Sequence, residues 1–260
     1  MTPVATRVVI TGASSGIGRA LAVEYARQGA TLCLIARRKD LVDELAATLP
    51  ARTYTYAADV RDAASLLNAA RDFTEQAGCP DIVIANAGVS AGTSIGHPGD
   101  NVVFEEILAT NLTGLMLTFQ VFLPGMVSRR AGVLVGIASV AGFRGLPGAA
   151  AYSASKAAVI SYLESLRVEL RDSGISVTTI CPGYIASPMT AKNPYPMPFL
   201  MQADVAAAKM ARAIGQRKRF YVLPWQMAVV GCALRALPRP VFDYLFAHAP
   251  HKPRRNGPGV

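Results

Sequence analysis

Cysteine is scarce in this chain: Cys33, Cys79, Cys181 and Cys232 are the four among 260 residues, and no two form a CxxC pair. That spacing excludes a disulfide scaffold and a zinc framework. Reduced, mostly buried thiols and no metal site are expected, as in a cytoplasmic protein. Charge is sparse as well, at 17% of residues against 52% hydrophobic, which excludes disorder and leaves ample material for a large core. Repeats and low-complexity tracts are lacking. The longest apolar run, Phe220 to Leu234, is interrupted by Pro224, Gln226 and Gly231, whereas a bilayer-spanning helix wants about 20 unbroken residues. After MTPVAT the chain enters an apolar strand at once, so no signal peptide is expected.

Acidic residues are nearly missing from the end of the chain. Residues 201–260 hold 10 basic and 2 acidic side chains, while residues 1–200 hold 16 and 15, so most of the net +9 lies in the last sixty positions. A nucleic-acid binder usually carries a basic surface over the whole domain, and the nearly neutral first 200 residues exclude that partner.

What is present is alternation. Short apolar runs rich in β-branched residues (Val8–Thr11, Thr31–Ile35, Thr53–Ala57, Ile82–Asn86, Val133–Ala138, Ile175–Cys181 and Phe220–Leu223) are separated by helical patterns at roughly 17–28, 40–48, 62–77, 103–128, 152–172 and 203–215. This is the signature of βαβ units. The near-continuous apolarity of the strands calls for helices on both faces of a parallel sheet. The regularity holds to about Leu223. We expect one domain over 1–224 and a C-terminal helical appendix over 225–260, with helices at 225–237 and 241–248 separated by Pro238-Arg-Pro240.

The first strand runs into TGASSGIG at 11–18. Glycines there admit a pyrophosphate to the backbone N–H groups and to the N-terminus of the following helix. Gly12, Ser14, Ser15, Gly16, Ile17 and Gly18 are therefore candidate cofactor contacts, although a tight strand–helix turn accounts for the same spacing. About 20 residues past such glycines an NAD site presents a carboxylate. Here the strand ends Leu34-Ile35-Ala36 and continues Arg37-Arg38-Lys39. Guanidinium groups suit a 2′-phosphate, so NADP is the expected cofactor, with Arg37 and Arg38 as its contacts. Asp59, followed by Val60, could reach the adenine or cap the next helix.

Tyr152 and Lys156 stand four residues apart at a helix start, hence on one face. A phenol with a pKa of about 10 is a poor acid–base group at neutral pH. An ammonium at about 4 Å would favour the phenolate by about 4 kcal/mol and bring it into a useful range. Ser139 lies at the end of the fifth strand, on the sheet edge where open α/β folds bind ligands.

In their order and spacing TGASSGIG, Asn86-Ala87-Gly88, Asn111, Ser139, Tyr152 with Lys156, and Pro182-Gly183 with Ser187 resemble the short-chain dehydrogenase/reductase family from Val8 to about Ala213. The resemblance implies a Rossmann-type doubly wound parallel sheet of about seven strands, and NADP(H)-dependent hydride transfer between nicotinamide and a ketone, aldehyde or secondary alcohol. It also implies roles. Tyr152 would be the general acid/base, and Lys156 would lower its pKa and hold the nicotinamide ribose. Ser139 would bind the substrate carbonyl, and Asn111 would anchor a water in the proton relay. Asn86, Ala87 and Gly88 would line the cofactor cleft, with Pro182, Gly183, Ile185 and Ser187 at the carboxamide end. Ser187 stands where many relatives have threonine, a departure that keeps the hydroxyl. Relatives usually form homodimers or homotetramers through helices 103–128 and 152–172.

Tyr184–Met201 gathers methionine, tyrosine and phenylalanine among prolines, the composition of an adaptable apolar lid or of ordinary packing on the sheet. The tail departs from the family pattern and loosely resembles members acting on lipids, sterols or long-chain ketones, including 3-ketosphinganine reductases. Apolar helices followed by His251-Lys252-Pro253-Arg254-Arg255 allow three readings: peripheral membrane contact, a lid or oligomer contact, or a solvated extension. A lipophilic substrate is expected. The rival from another class is a non-catalytic NADP-binding regulatory protein, against which the intact Ser139, Tyr152 and Lys156 set argues.

Overall fold

A computed structural model describes residues 5–254; Arg255 and the rest of the expected extension lie outside the described residues. Seven parallel strands form one sheet, ordered β3-β2-β1-β4-β5-β6-β7. They are β1 (Arg7–Thr11), β2 (Thr31–Ala36), β3 (Thr53–Ala57), β4 (Ile82–Ala85), β5 (Gly132–Ile137), β6 (Ile175–Pro182) and β7 (Phe220–Leu223). Strand order reverses between β1 and β4, which opens a crevice at their carboxyl ends.

Successive strand residues point to opposite faces, and both faces are apolar. Val8, Ile10, Leu32, Leu34, Ile84 and Val135 pack under the helices α1 (Gly16–Arg27), α2 (Lys39–Thr48) and α7 (Ala203–Gly215). Their alternates Val9, Cys33, Ile35, Val83 and Leu134 pack under α3 (Ala63–Ala77), α5 (Gly114–Arg129) and α6 (Ala150–Glu169). Small residues let α1 and α7 approach closely: Ala22 and Ala26 on one, Ala206, Ala207 and Ala211 on the other, all buried.

The expected helix 103–128 begins earlier and is divided. It runs as α4 (Asp100–Leu108), a π-helical turn over Ala109–Thr113 and then α5, which carries Pro124 in its interior. A π-turn inserts one extra residue and reorients the side chains around it. Asn111 sits in it and is 1% exposed. The stretch Asp100–Arg129 is long and apolar enough to cross a membrane by length and composition alone, but Leu115, Phe119, Phe122 and Met126 are buried in the core beneath the sheet.

At the opposite edge of the sheet from the crevice, Asp81 joins three elements. It accepts from the Arg7 backbone N–H at 2.8 Å, from Arg7 Nε at 3.1 Å and from Arg129 Nη1 at 2.7 Å. Burial alone would raise its pKa, but these hydrogen bonds and cationic charges outweigh that and hold the carboxyl below its usual value. The folded form therefore favours the carboxylate. Its contribution is complete above the unfolded value of about 3.9 and is lost as pH falls below it. Asp81→Asn should lower unfolding stability by about 1–2 kcal/mol at pH 7, since the pair is partly solvated. Urea titration should show the gap between wild type and variant closing below about pH 4.

After β7 the chain forms α8 (Trp225–Ala236) and α9 (Arg239–Phe246). The expected break at Pro238-Arg-Pro240 is shorter than the sequence suggests: Pro240 lies in the first turn of α9, where its missing N–H costs no helical bond. Met227 packs on Gly183, Phe143 on Gly231, and the Arg144 guanidinium lies 4.5 Å from the Phe242 ring centroid. The outer faces of these helices expose Trp225, Val229, Tyr244 and Leu245. Cys232 is exposed on α8, a correction to the expectation of mostly buried thiols; Cys33 and Cys181 are buried and Cys79 is partly so.

Candidate active site

The crevice is a cleft of ≈ 390 Å³. Of the residues singled out in the sequence, its wall carries Gly12, Ser14, Ser15, Gly16, Ile17, Arg37, Arg38, Asp59, Val60, Asn86, Ala87, Gly88, Ser139, Tyr152, Lys156, Pro182, Gly183, Ile185 and Ser187. Gly18 and Asn111 stand behind the wall and are not part of it.

The glycine turn is clamped to β4. Thr11 Oγ1 accepts from Asn86 N at 3.1 Å and from Ala87 N at 3.2 Å, and Asn86 Nδ2 donates to Thr11 O at 2.9 Å. Gly12 has φ +68°, and a Cβ there would stand 2.7 Å from Ala87 Cα, so only glycine passes. A Cβ on Gly18 would strike Gly12 O, which makes Gly18 the contact between helix and turn. Ser15 caps α1 without a side-chain hydrogen bond, and no acid lies in the first turn. The first N–H groups of α1 are thus left for an anion, and the cradle fits a pyrophosphate.

At the end of β2, Arg38 Nη2 donates to Ser14 Oγ at 3.2 Å, and Arg37 Nη1 lies 4.0 Å from Asp59 Oδ2. Lys39 turns away to pair with Asp43 at 2.7 Å. Asp59 is not the helix cap: Asp62 is, accepting from Ala64 N at 3.0 Å. Asp59 is instead gripped by Arg61 at 2.6 Å, and that side-chain hydrogen bond holds its carboxyl below the ordinary value.

The other end of the cleft holds the reactive side chains. Ser139 ends the β5 segment as the cap of a short 3₁₀ turn and accepts from Ala141 N at 3.1 Å. Burial raises the Tyr152 phenol above its ordinary pKa, while a hydrogen bond with Ser139 acts the other way. Lys156 is 4% exposed and donates to Ile137 O at 2.7 Å. Its Nζ lies 5.8 Å from the Tyr152 ring centroid, and burial pushes its pKa down to about 8. The pairing energy expected from helical spacing is therefore not what the free protein displays: the ammonium is turned to a strand carbonyl, and desolvation governs both groups.

Asn111 is fully engaged with protein. Its Oδ1 accepts from Val89 N at 2.8 Å, and its Nδ2 donates to Val89 O and to Ser155 Oγ, each at 3.0 Å. It braces the segment after Gly88 against α6. Ser155 was passed over in the sequence because a serine inside a helix carries no distinguishing signal. Thr110 and Thr190 were also missed, and both line the cleft. Thr190 Oγ1 accepts from Ser187 N at 3.0 Å and donates to Ile185 O at 2.7 Å, which holds the loop after β6 across the cleft.

A reversed parallel sheet, a phosphate cradle at its switch point, and a serine, tyrosine and lysine at the far end define a dinucleotide-dependent α/β oxidoreductase. The short chain dehydrogenase family matches residues 6–196, and the chain belongs to that family. An uncharacterized oxidoreductase of Myxococcus xanthus is 43% identical over 239 residues, covering 90% of this chain and 94% of that one. The 2-(R)-hydroxypropyl-CoM dehydrogenase of Xanthobacter autotrophicus is 35% identical over 191 residues, covering 70% of this chain and 75% of that one. A short-chain dehydrogenase from Streptomyces avermitilis superposes with a TM-score of 0.77 at 25% identity, covering 88% of this chain and 92% of that one. The protein is an oxidoreductase of this family, whose members use a nicotinamide cofactor, NAD or NADP, and act on small molecules.

Proposed function

We propose that the chain is an NADP(H)-dependent reductase or dehydrogenase acting between a carbonyl and a secondary alcohol, with Tyr152 as the proton donor or acceptor. The observation that carries this reading is that one cleft joins Arg37 and Arg38 at one end to Ser139, Tyr152 and Lys156 at the other. When bound, the cofactor supplies the hydride. The residues of the chain supply the rest. The glycine turn and α1 hold the diphosphate, and Arg37 and Arg38 hold a 2′-phosphate. Ser139 donates to the carbonyl oxygen, and Tyr152 delivers a proton to it as negative charge develops. Asn111 keeps the Val89 backbone and Ser155 in register behind them.

A lipophilic substrate is supported by Tyr184, Tyr195, Met189 and Met197 in the loop after β6; Met189 is on the cleft wall, and burial raises both tyrosine hydroxyls. The exposed apolar faces of α8 and α9 support peripheral contact with a membrane surface through 225–260. Exposed Val102, Phe104 and Val168 on α4 and α6 support a homo-oligomer through those helices.

The test is NADPH oxidation against 3-oxoacyl thioesters, keto-sterols, 3-ketosphinganine and simple aldehydes. Turnover of at least one is expected; NADPH binding with no turnover across a broad carbonyl panel would overturn the reading. The pH profile is set by the same groups. Reduction needs a protonated Tyr152, which burial favours, and a charged Lys156, which is lost above pH about 8. The kcat/KM for reduction should be level through neutral pH and fall above about 8, while alcohol oxidation rises over that range. Initial rates from pH 6 to 10 check this.

A further inference from the structure

The last described residues do not trail into solvent. Arg254 Nε and Nη2 donate to the two Asp100 carboxylate oxygens at 2.8 and 2.9 Å, and the two side chains are only 11% and 6% exposed. Gly92 N donates to Pro253 O at 2.9 Å, and a Cβ on Gly92 would collide with Lys252 O. On the other side, Gly148 has φ +68°, and a Cβ there would lie 2.7 Å from His251 Cβ. The segment His251–Arg254 is therefore a fitted strap. It joins the loop after β4 to the loop that leads into α6, whose first turn carries Tyr152.

The strap brings a cation to the catalytic tyrosine. Lys252 Nζ lies 5.5 Å from the Tyr152 ring centroid, and no carboxylate or carbonyl among the described residues accepts from it. Its neighbour Arg254 has a carboxylate partner; Lys252 has none. Burial without an opposite charge pushes its pKa down to about 8. A half-buried, uncompensated ammonium is unfavourable unless something anionic meets it. The cofactor phosphates do not fill that place, because their cradle lies at the far end of the cleft, at the glycine turn and Arg37 and Arg38.

We propose that Lys252 is the specificity-determining residue of the substrate site and binds an oxyanion, a carboxylate in the simplest case, placed a few bonds from the reacting carbonyl. This rests on the carbonyl-reduction reading. Together with the apolar loop after β6 it makes the substrate an amphiphilic keto acid. The ammonium would pair with the carboxylate, the chain would lie against Tyr195 and Met189, and the ketone oxygen would face Ser139 and Tyr152.

The test uses 4-oxodecanoate and 4-oxodecanamide, which match in size and differ in charge. Each is titrated calorimetrically into the full chain loaded with NADP⁺, where the ketone cannot be reduced and binding is read alone. We expect the acid to bind about 10- to 100-fold more tightly than the amide. Lys252→Met should bring that ratio close to one, and Lys252→Arg should keep the preference. Equal affinities in the wild type, failure of both probes to bind, or a ratio that survives Lys252→Met would overturn the proposal. Failure of the hydride-transfer reading is distinguishable: it would show as binding of the acid with no NADPH oxidation by either ketone.

Discussion

Tyr152→Phe should lower kcat for carbonyl reduction by about 10²- to 10⁴-fold and leave NADPH affinity within a few-fold of wild type. The substitution removes one oxygen and one proton while keeping the ring. That ring is what Lys156 and Lys252 face, at 5.8 and 5.5 Å from its centroid. The residues proposed to anchor the cofactor, at the glycine turn and at Arg37 and Arg38, lie at the other end of the cleft. Ser139 would still orient the carbonyl, but its hydroxyl is a far weaker acid. Stopped-flow NADPH oxidation gives the rate, and fluorescence titration gives the affinity. A loss of less than tenfold would remove Tyr152 from the proton-transfer role. A parallel loss of NADPH affinity would point to a collapsed cleft. Burial holds the phenol protonated in the free protein, so the expected defect is present throughout neutral pH and is not rescued by moderate alkali.

The fold was legible because its signals are local and repeated. Strands of continuous β-branched residues, separated by helical stretches, leave a two-faced parallel sheet as the consistent architecture. Their observed bounds fall within a few residues of expectation, Thr31–Ala36 against Thr31–Ile35 for one example. The glycine turn was legible for the same reason: a β-strand, three glycines and a helix follow one another without a break from Arg7 to Arg27.

What escaped depends on long-range direction. Helical spacing places Tyr152 and Lys156 on one face, yet it cannot say that the Lys156 amine turns to Ile137 O, which belongs to β5. Asp59 and Asp62 both precede a helix, and only the backbone path decides that Asp62 caps it while Asp59 meets Arg61. The π-turn at Ala109–Thr113 has no compositional mark, and it carries the Asn111 side chain that bonds Val89 and Ser155. The basic tail is the clearest case. Its composition left a membrane contact, a lid and a solvated end all open. What places its last described residues are partners far back in the chain: the Asp100 carboxylate, 154 positions before Arg254, the Gly92 N–H and the fit at Gly148.

Arg37→Ala should lower the preference for NADPH over NADH by about 10- to 100-fold, and Arg37→Ala with Arg38→Ala should bring it near unity or invert it. Neither side chain is committed to a strong partner among the described residues. Arg37 is more than half exposed, and its one ion-pair partner among the described residues is 4.0 Å away. That partner, Asp59, is held at 2.6 Å by Arg61, so the Arg37 guanidinium is left weakly committed. Arg38 gives one donor to Ser14 in the glycine turn, which draws it toward the place where the adenosine half would lie. Two planar guanidiniums with unspent donors beside Ala36, where an NAD site would carry an acid, would suit the 2′-phosphate of the proposed cofactor. The affinity for NADH should change little, because no carboxylate is gained to hold the free hydroxyls. Arg37→Asp should go further, since the new carboxylate would both repel a 2′-phosphate and accept from the ribose of NADH. Raising ionic strength should weaken NADPH binding more than NADH binding in the wild type and erase that difference in the double variant. Paired titrations with both cofactors decide the matter: if Arg37→Ala keeps the wild-type ratio, the 2′-phosphate is not read at this strand end.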